Sequence, residues 1–277
     1  MPRYVRWNAT AWEAVTSREG FDARTSTDVP SEAAVDSRKV AQSRHEARRR
    51  EPYDGAGQGL ESSTVTETPS YLTTTAEAYD AVAVIYAEFV QGALDRQPLD
   101  RAALAAFAEF VRTGDAGTLV AELGCGPGHM TEHLRDLGLD AFGIDLSPAM
   151  IKLAREAYPD LRFEVGSMDA LDLADGGLGG ILSWYSVIHT PPQELPPYFA
   201  EFHRVLAPGG YLLLGFFESE GGPVVEFDHK VTPAYRWPID DLAELMHKAG
   251  FVEVGRMLRE PQEGERFRQG RLLMRKQ

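Results

Sequence analysis

The stretch Val120-Ala121-Glu122-Leu123-Gly124-Cys125-Gly126-Pro127-Gly128 carries an apolar strand straight into a glycine-rich turn. Residues 119–123 have the composition of a buried strand, and three glycines separated by single residues let the backbone turn sharply with no Cβ in the way. Residues 129–137 follow as a helix. Strand, glycine loop and helix in that order place a nucleotide-like ligand at the carboxyl end of a parallel strand.

Working outward, the alternation continues. Strands are predicted over 141–145, 161–165, 180–184, 211–217, 252–258 and 270–275, with helices over 148–158, 194–206 and 239–249 between most neighbours. The fold class is therefore α/β, a doubly wound, mostly parallel seven-stranded sheet whose right-handed crossovers put helices on both faces. The last two strands have no helix between them and read as a hairpin around 261–267, so the final strand is antiparallel. Upstream, Tyr79, Val82, Ala83, Tyr86, Phe89, Val90 and Ala93 have the three-and-four spacing of an amphipathic helix over 76–94. A second helix over 98–112 has Pro98 near its start and Gly114 past its end.

The loop spacing narrows the ligand. A dinucleotide fingerprint is Gly-x-Gly-x-x-Gly, whereas here the third glycine comes one residue early; no Gly-Lys-Ser or Gly-Lys-Thr follows, which excludes a phosphate-binding P-loop. Gly124-Cys125-Gly126-Pro127-Gly128, preceded by the acidic Glu122, resembles the first motif of the class I S-adenosylmethionine-dependent methyltransferases. Three further segments are similar to that family in order. Asp145 closes the second strand, where a carboxylate accepts from ribose hydroxyls. Gly166-Ser167-Met168-Asp169 resembles the adenine-binding turn, and Leu182 to Pro192, the end of the fourth strand, resembles the segment facing the reacting methyl.

The resemblance covers about residues 71 to 277. It implies a Rossmann-like methyltransferase fold with an N-terminal helical cap, S-adenosylmethionine as cofactor, and a small-molecule acceptor, a metabolite or natural product. It implies cofactor contacts at Tyr79, Tyr86, Glu122, Gly124, Cys125, Gly126, Asp145, Leu146, Met150, Ser167, Met168, Asp169, Tyr185 and Ser186. His189 is the candidate catalytic base, because its segment faces the methyl and an ordinary imidazole titrates near neutrality. His229, Tyr235, Arg236 and Trp237 lie in the insertion after the fifth strand, where this family often recognises substrate.

Composition bounds the alternatives. A net charge of −14 argues against a nucleic-acid partner, and 43% hydrophobic residues can support a sizeable core. No apolar run is long enough to cross a bilayer and no basic-then-apolar signal opens the chain, so a cytoplasmic location is expected, with no membrane partner. The single cysteine, Cys125, agrees with a reducing compartment. A homodimer is left open. Residues 1–64 lack sustained periodicity and read as a mobile or weakly ordered extension, although Trp7 and Trp12 are unusual in such a tail. The methyltransferase domain is expected over 65–277, with the cap at 65–114 and the α/β core at 115–277. His129-Met130-Thr131-Glu132-His133 matches an inverted zinc-hydrolase signature, but no third ligand is evident and no metal is expected. An NAD-dependent oxidoreductase, or a protein of this fold that binds the cofactor without transferring methyl, are the competing readings.

Overall fold

A computed structural model describes residues 69–277, so the expected extension lies outside the described residues. In chain order come α1 (Ser70–Val90), α2 (Pro98–Thr113), β1 (Leu119–Leu123), α3 (His129–Asp136), β2 (Asp140–Asp145), α4 (Pro148–Ala157), β3 (Phe163–Val165) and β4 (Leu178–Trp184). There follow α5 (Leu195–Val205), β5 (Leu206–Phe217), β6 (Val225–Asp228), β7 (Pro233–Arg236), α6 (Ile239–Lys248), β8 (Phe251–Arg259) and β9 (Gln269–Lys276). One seven-stranded sheet runs β3-β2-β1-β4-β5-β9-β8, in which β1 to β5 pair in parallel and β9 lies antiparallel to both neighbours. The order reverses between β1 and β4, the switch point beside which a sheet of this kind holds its ligand.

Strand alternation divides the core. Val120, Leu182 and Leu213 point to one face and pack with Leu104, Phe107 and Val111 of α2 and Leu134 of α3. Ala121, Leu123, Ile181, Leu212 and Leu214 point to the other and pack with Phe199 and Phe202 of α5 and Leu242 and Met246 of α6. Glu122 shares the parity of Val120, which sends its carboxyl to the α3 face.

Several features depart from the sequence-based expectation: α1 covers Ser70–Val90 rather than 76–94, and β3 begins at Phe163 rather than 161. β5 begins at Leu206 rather than 211, directly on the end of α5. The insertion after β5 contains a small antiparallel hairpin, β6 with β7, whose four-residue strands are too short to announce themselves by periodicity.

A buried ionic network ties α2 to the sheet. Arg271 at the start of β9 donates from Nε (3.1 Å) and Nη2 (2.9 Å) to Oδ1 of Asp100 in the first turn of α2. The two residues are 2% and 5% exposed. Arg259 reaches the same oxygen at 4.0 Å and pairs with Glu265 through both terminal nitrogens.

Candidate functional site

The glycine loop leaves β1 with Gly124, Gly126 and Gly128 at φ of +74°, +52° and +85°, a region that favours glycine. Space demands glycine as well at two of them. A Cβ on Gly124 would lie 2.3 Å from the Cβ of Ser186, just past β4, and one on Gly128 would lie 2.7 Å from the ring of Phe163 on β3. Gly124 therefore sets how closely the loop approaches the end of β4, and Gly128 seats the start of α3 against β3.

Asp145 braces the loop from the end of β2. Its Oδ2 accepts from the Gly126 N–H and its Oδ1 from the Ser147 N–H, both at 2.8 Å. Desolvation raises its pKa above the ordinary aspartate value against those two bonds. Ser147 caps α4 through the Met150 N–H at 3.0 Å. Asp80 of α1 reinforces that cap, accepting from Ser147 Oγ and, at 3.0 Å, from the Ala149 N–H. Sequence reasoning gave Tyr79 a role and its neighbour Asp80 none, because a cap supplied from another helix leaves no local pattern.

Glu122 accepts a short hydrogen bond from Thr131 on α3, and burial pushes its pKa up to about 8. Cys125 is buried against Ile151, Ala154 and Phe163, with desolvation raising its thiol pKa, a packing role and not that of a nucleophile. Met168 is buried, and Ser167 donates to Asp169 beside it. Leu146, Met168, Ser186 and His189 line one small cavity with Tyr71, Leu72 and Thr75 of α1. Tyr86 of α1 comes to 3.7 Å from the position of a Cβ on Gly126. The cradle suits an adenosyl ligand: a braced glycine turn, a carboxylate at the end of β2 and apolar residues beside both.

A methyltransferase-domain family model matches residues 120–210, the segment that holds this cradle. Residues 120–210 belong to the class I S-adenosylmethionine-dependent methyltransferases. Over 91 residues the chain is 32% identical to malonyl-(acyl-carrier protein) O-methyltransferase of Pseudescherichia vulneris, covering 33% of this chain and 36% of that protein. The chain spans about a third to a half of the length of such curated relatives. A solved structure of magnesium protoporphyrin IX methyltransferase from Synechocystis PCC 6803 with bound S-adenosylmethionine has a TM-score of 0.58 at 16% identity, covering 76% of this chain and 99% of that one. Burkholderia thailandensis 1,6-didemethyltoxoflavin-N1-methyltransferase, with 1,6-didemethyltoxoflavin and S-adenosylhomocysteine bound, has a TM-score of 0.52 at 24% identity, covering 72% and 90%. Both show the fold.

In the methyltransferase domain, His189 ends a short turn after β4 and both its ring nitrogens are engaged. Nδ1 lies 2.9 Å from the carbonyl oxygen of Pro233, which can only accept, so Nδ1 carries the proton. Nε2 then accepts from the Tyr79 hydroxyl at 2.8 Å. Burial lowers His189 to about 4 and raises Tyr79 well above its ordinary value, so both are neutral at pH 7. His229 stands edge-on to His189, ring centroids 5.0 Å apart, and burial lowers it to about 3.

Tyr185, expected at the cofactor, takes a left-handed φ of +56° just past β4. Its hydroxyl accepts from Arg271 at 2.6 Å and donates to Gln269, so it belongs to the ionic network under α2. Trp237, expected at the substrate, is 5% exposed in the core, its backbone paired to Phe217 and Ser219. Tyr235 lies on the hairpin, donating to Glu226 at 3.2 Å. His129 and His133 lie on α3, burial lowering His129 to about 4; among the described residues no group of three or more His, Cys, Asp or Glu side chains could hold a metal. Among the described residues no helix is long and apolar enough to cross a membrane.

Proposed function

We propose that the chain transfers a methyl group from S-adenosylmethionine to a small-molecule acceptor. The observation that carries this reading is the Asp145 carboxylate clasping the Gly126 N–H beside Gly124, the loop spacing of a methyltransferase and not of a dinucleotide enzyme. When bound, S-adenosylmethionine supplies an electrophilic sulfonium methyl. The chain's part is to hold a nucleophile in line and keep water out. Gly124, Gly126 and Asp145 would hold the cofactor, with Leu146 and Met168 beside the adenine, while Ser186 and His189 face the methyl. The net charge of −14 favours a small acceptor over a nucleic acid. A cytoplasmic location, suggested by the free buried Cys125, belongs to the same reading, as does the division into a cap at 65–114 and a core at 115–277.

Calorimetry should find binding of S-adenosylmethionine and S-adenosylhomocysteine and none of NAD; NAD binding as tight as theirs would sink the reading. Asp145→Ala should weaken S-adenosylmethionine by roughly tenfold to a hundredfold, the effect of losing charge-assisted hydrogen bonds worth about 1.5–3 kcal/mol. An unchanged dissociation constant would remove Asp145 from the site.

His189 is the proposed base, acting once Tyr79 releases Nε2. A base works unprotonated, so its pKa of about 4 predicts that rate falls only as pH drops through about 4, and not near 6.5. His189→Gln should lower turnover roughly a hundredfold, abolish that acidic limb and leave cofactor affinity near wild type. A raised Michaelis constant with turnover and pH profile intact would make His189 a residue that only shapes the pocket.

A further inference from the structure

Beyond His189 the site continues as a wall of aromatic rings drawn from separate segments. His229, in the hairpin turn, lies 6.0 Å from both Phe217, at the end of β5, and Phe227, on β6. Phe267, from the turn between β8 and β9, packs 4.9 Å from Phe227 and 6.1 Å from Phe217. All four rings are half-buried.

Two guanidiniums stack on the far end of this wall, Arg236 at 4.3 Å and Arg266 at 4.8 Å from the Phe267 ring centre. Among the described residues, neither forms an ion pair with a carboxylate, whereas the nearby Arg259, Arg268 and Arg271 each do. Asp228 lies close enough to Arg266 for the guanidinium to help lower its carboxyl pKa, whereas Arg236, in a chain with 42 acidic and 28 basic residues, has no ion-pair partner among the described residues. Arg266 bonds the Asp228 carbonyl at 2.7 Å, but Arg236 Nε and His229 Nδ1 are buried with no hydrogen-bond partner. Buried polar atoms without partners are costly and point to a missing ligand.

Resting on the methyltransferase reading, the geometry points to an aromatic carboxylic acid as the acceptor, its ring against Phe217 and Phe227, its carboxylate on Arg236 and Arg266, and its methylated end toward His229 and His189. A phenyl wall selects a planar ring over a puckered one, and a fork of N–H donors selects a carboxylate over an amide. Neutral imidazoles at the opposite end favour a hydroxyl or amine there over a second anion.

The test is calorimetry on the full chain saturated with S-adenosylhomocysteine, titrated with 4-hydroxybenzoate, 4-hydroxycinnamate, 4-hydroxybenzamide and cyclohexanecarboxylate. At least one aromatic acid should bind roughly tenfold or more tightly than both the amide and the saturated acid. Arg236→Gln should erase the preference for acid over amide while S-adenosylhomocysteine affinity, which reports the intact fold, stays unchanged. Arg266→Gln, at a more exposed position, should reduce the same preference. Equal binding of the amide or of the saturated acid overturns the proposal. So does the absence of binding by either aromatic acid to a chain that binds S-adenosylhomocysteine. Failure to bind S-adenosylhomocysteine overturns instead the reading on which the proposal rests.

Discussion

Replacing Arg271 by methionine is expected to lower the melting temperature by roughly 6–20 °C in thermal unfolding followed by circular dichroism. Breaking a buried pair from one side costs about 3–5 kcal/mol, because the remaining charge has neither water nor partner, and in a chain of this size each kcal/mol is worth about 2–4 °C. Asp100 would be that stranded charge, 5% exposed under the first turn of α2. The Tyr185 hydroxyl would lose its donor at the same time. Adding Asp100→Leu to the Arg271→Met chain should recover much of the loss, since replacing both partners leaves no uncompensated charge. A drop of less than about 3 °C for the single variant would mean that Arg259, 4.0 Å from the same oxygen, holds Asp100 by itself.

Gly124→Ala should reduce S-adenosylmethionine affinity by roughly a thousandfold. The added methyl meets the Ser186 Cβ at 2.3 Å, so the loop and the end of β4 must part by about 1 Å, a misplacement that costs about a hundredfold. The φ of +74° adds strain of about 1–2 kcal/mol for any residue with a Cβ. Gly126→Ala separates the two effects: it also has a positive φ, but its new methyl would find only Tyr86, at 3.7 Å. Its loss should be about tenfold. Equal losses for the two variants would show that backbone strain, and not the contact with Ser186, governs the loop. Recovery in a Gly124→Ala, Ser186→Gly double variant would confirm the collision.

The order of strands, the glycine loop and the carboxylate at the end of β2 could all be read from the sequence, because each is written in residues close together in the chain. Period-two burial and glycines at a strand end are local signals. The Asp100–Arg271 pair is not, being formed by residues 171 apart that meet only once β9 has inserted between β5 and β8. The direction of Tyr185 escaped for a different reason. A left-handed backbone at a tyrosine is uncommon, so extending β4 in the ordinary way does not bring its hydroxyl to Arg271 and Gln269. The segment resemblance placed His189 beside the methyl, yet nothing local revealed that Tyr79 and Pro233 would occupy both its nitrogens. Ser147 caps α4 from the position just before Pro148, a local arrangement, whereas the contribution of Asp80 to that cap depends on how α1 packs on α4.

Among the ties of α1, Asp80 holds the cap of α4 beside the glycine loop and Tyr79 holds His189, while Tyr71 meets Tyr198 nearer its start. Asp80 and Tyr79 are adjacent on one rigid rod, so neither of their ties can be set or released without bearing on the other. On the proposed reading, a ligand that displaces either tie bears on the other through α1, and the size of that effect is a coupling free energy. Linkage makes the exchange symmetrical: the factor by which a bound cofactor changes acceptor affinity is the factor by which a bound acceptor changes cofactor affinity.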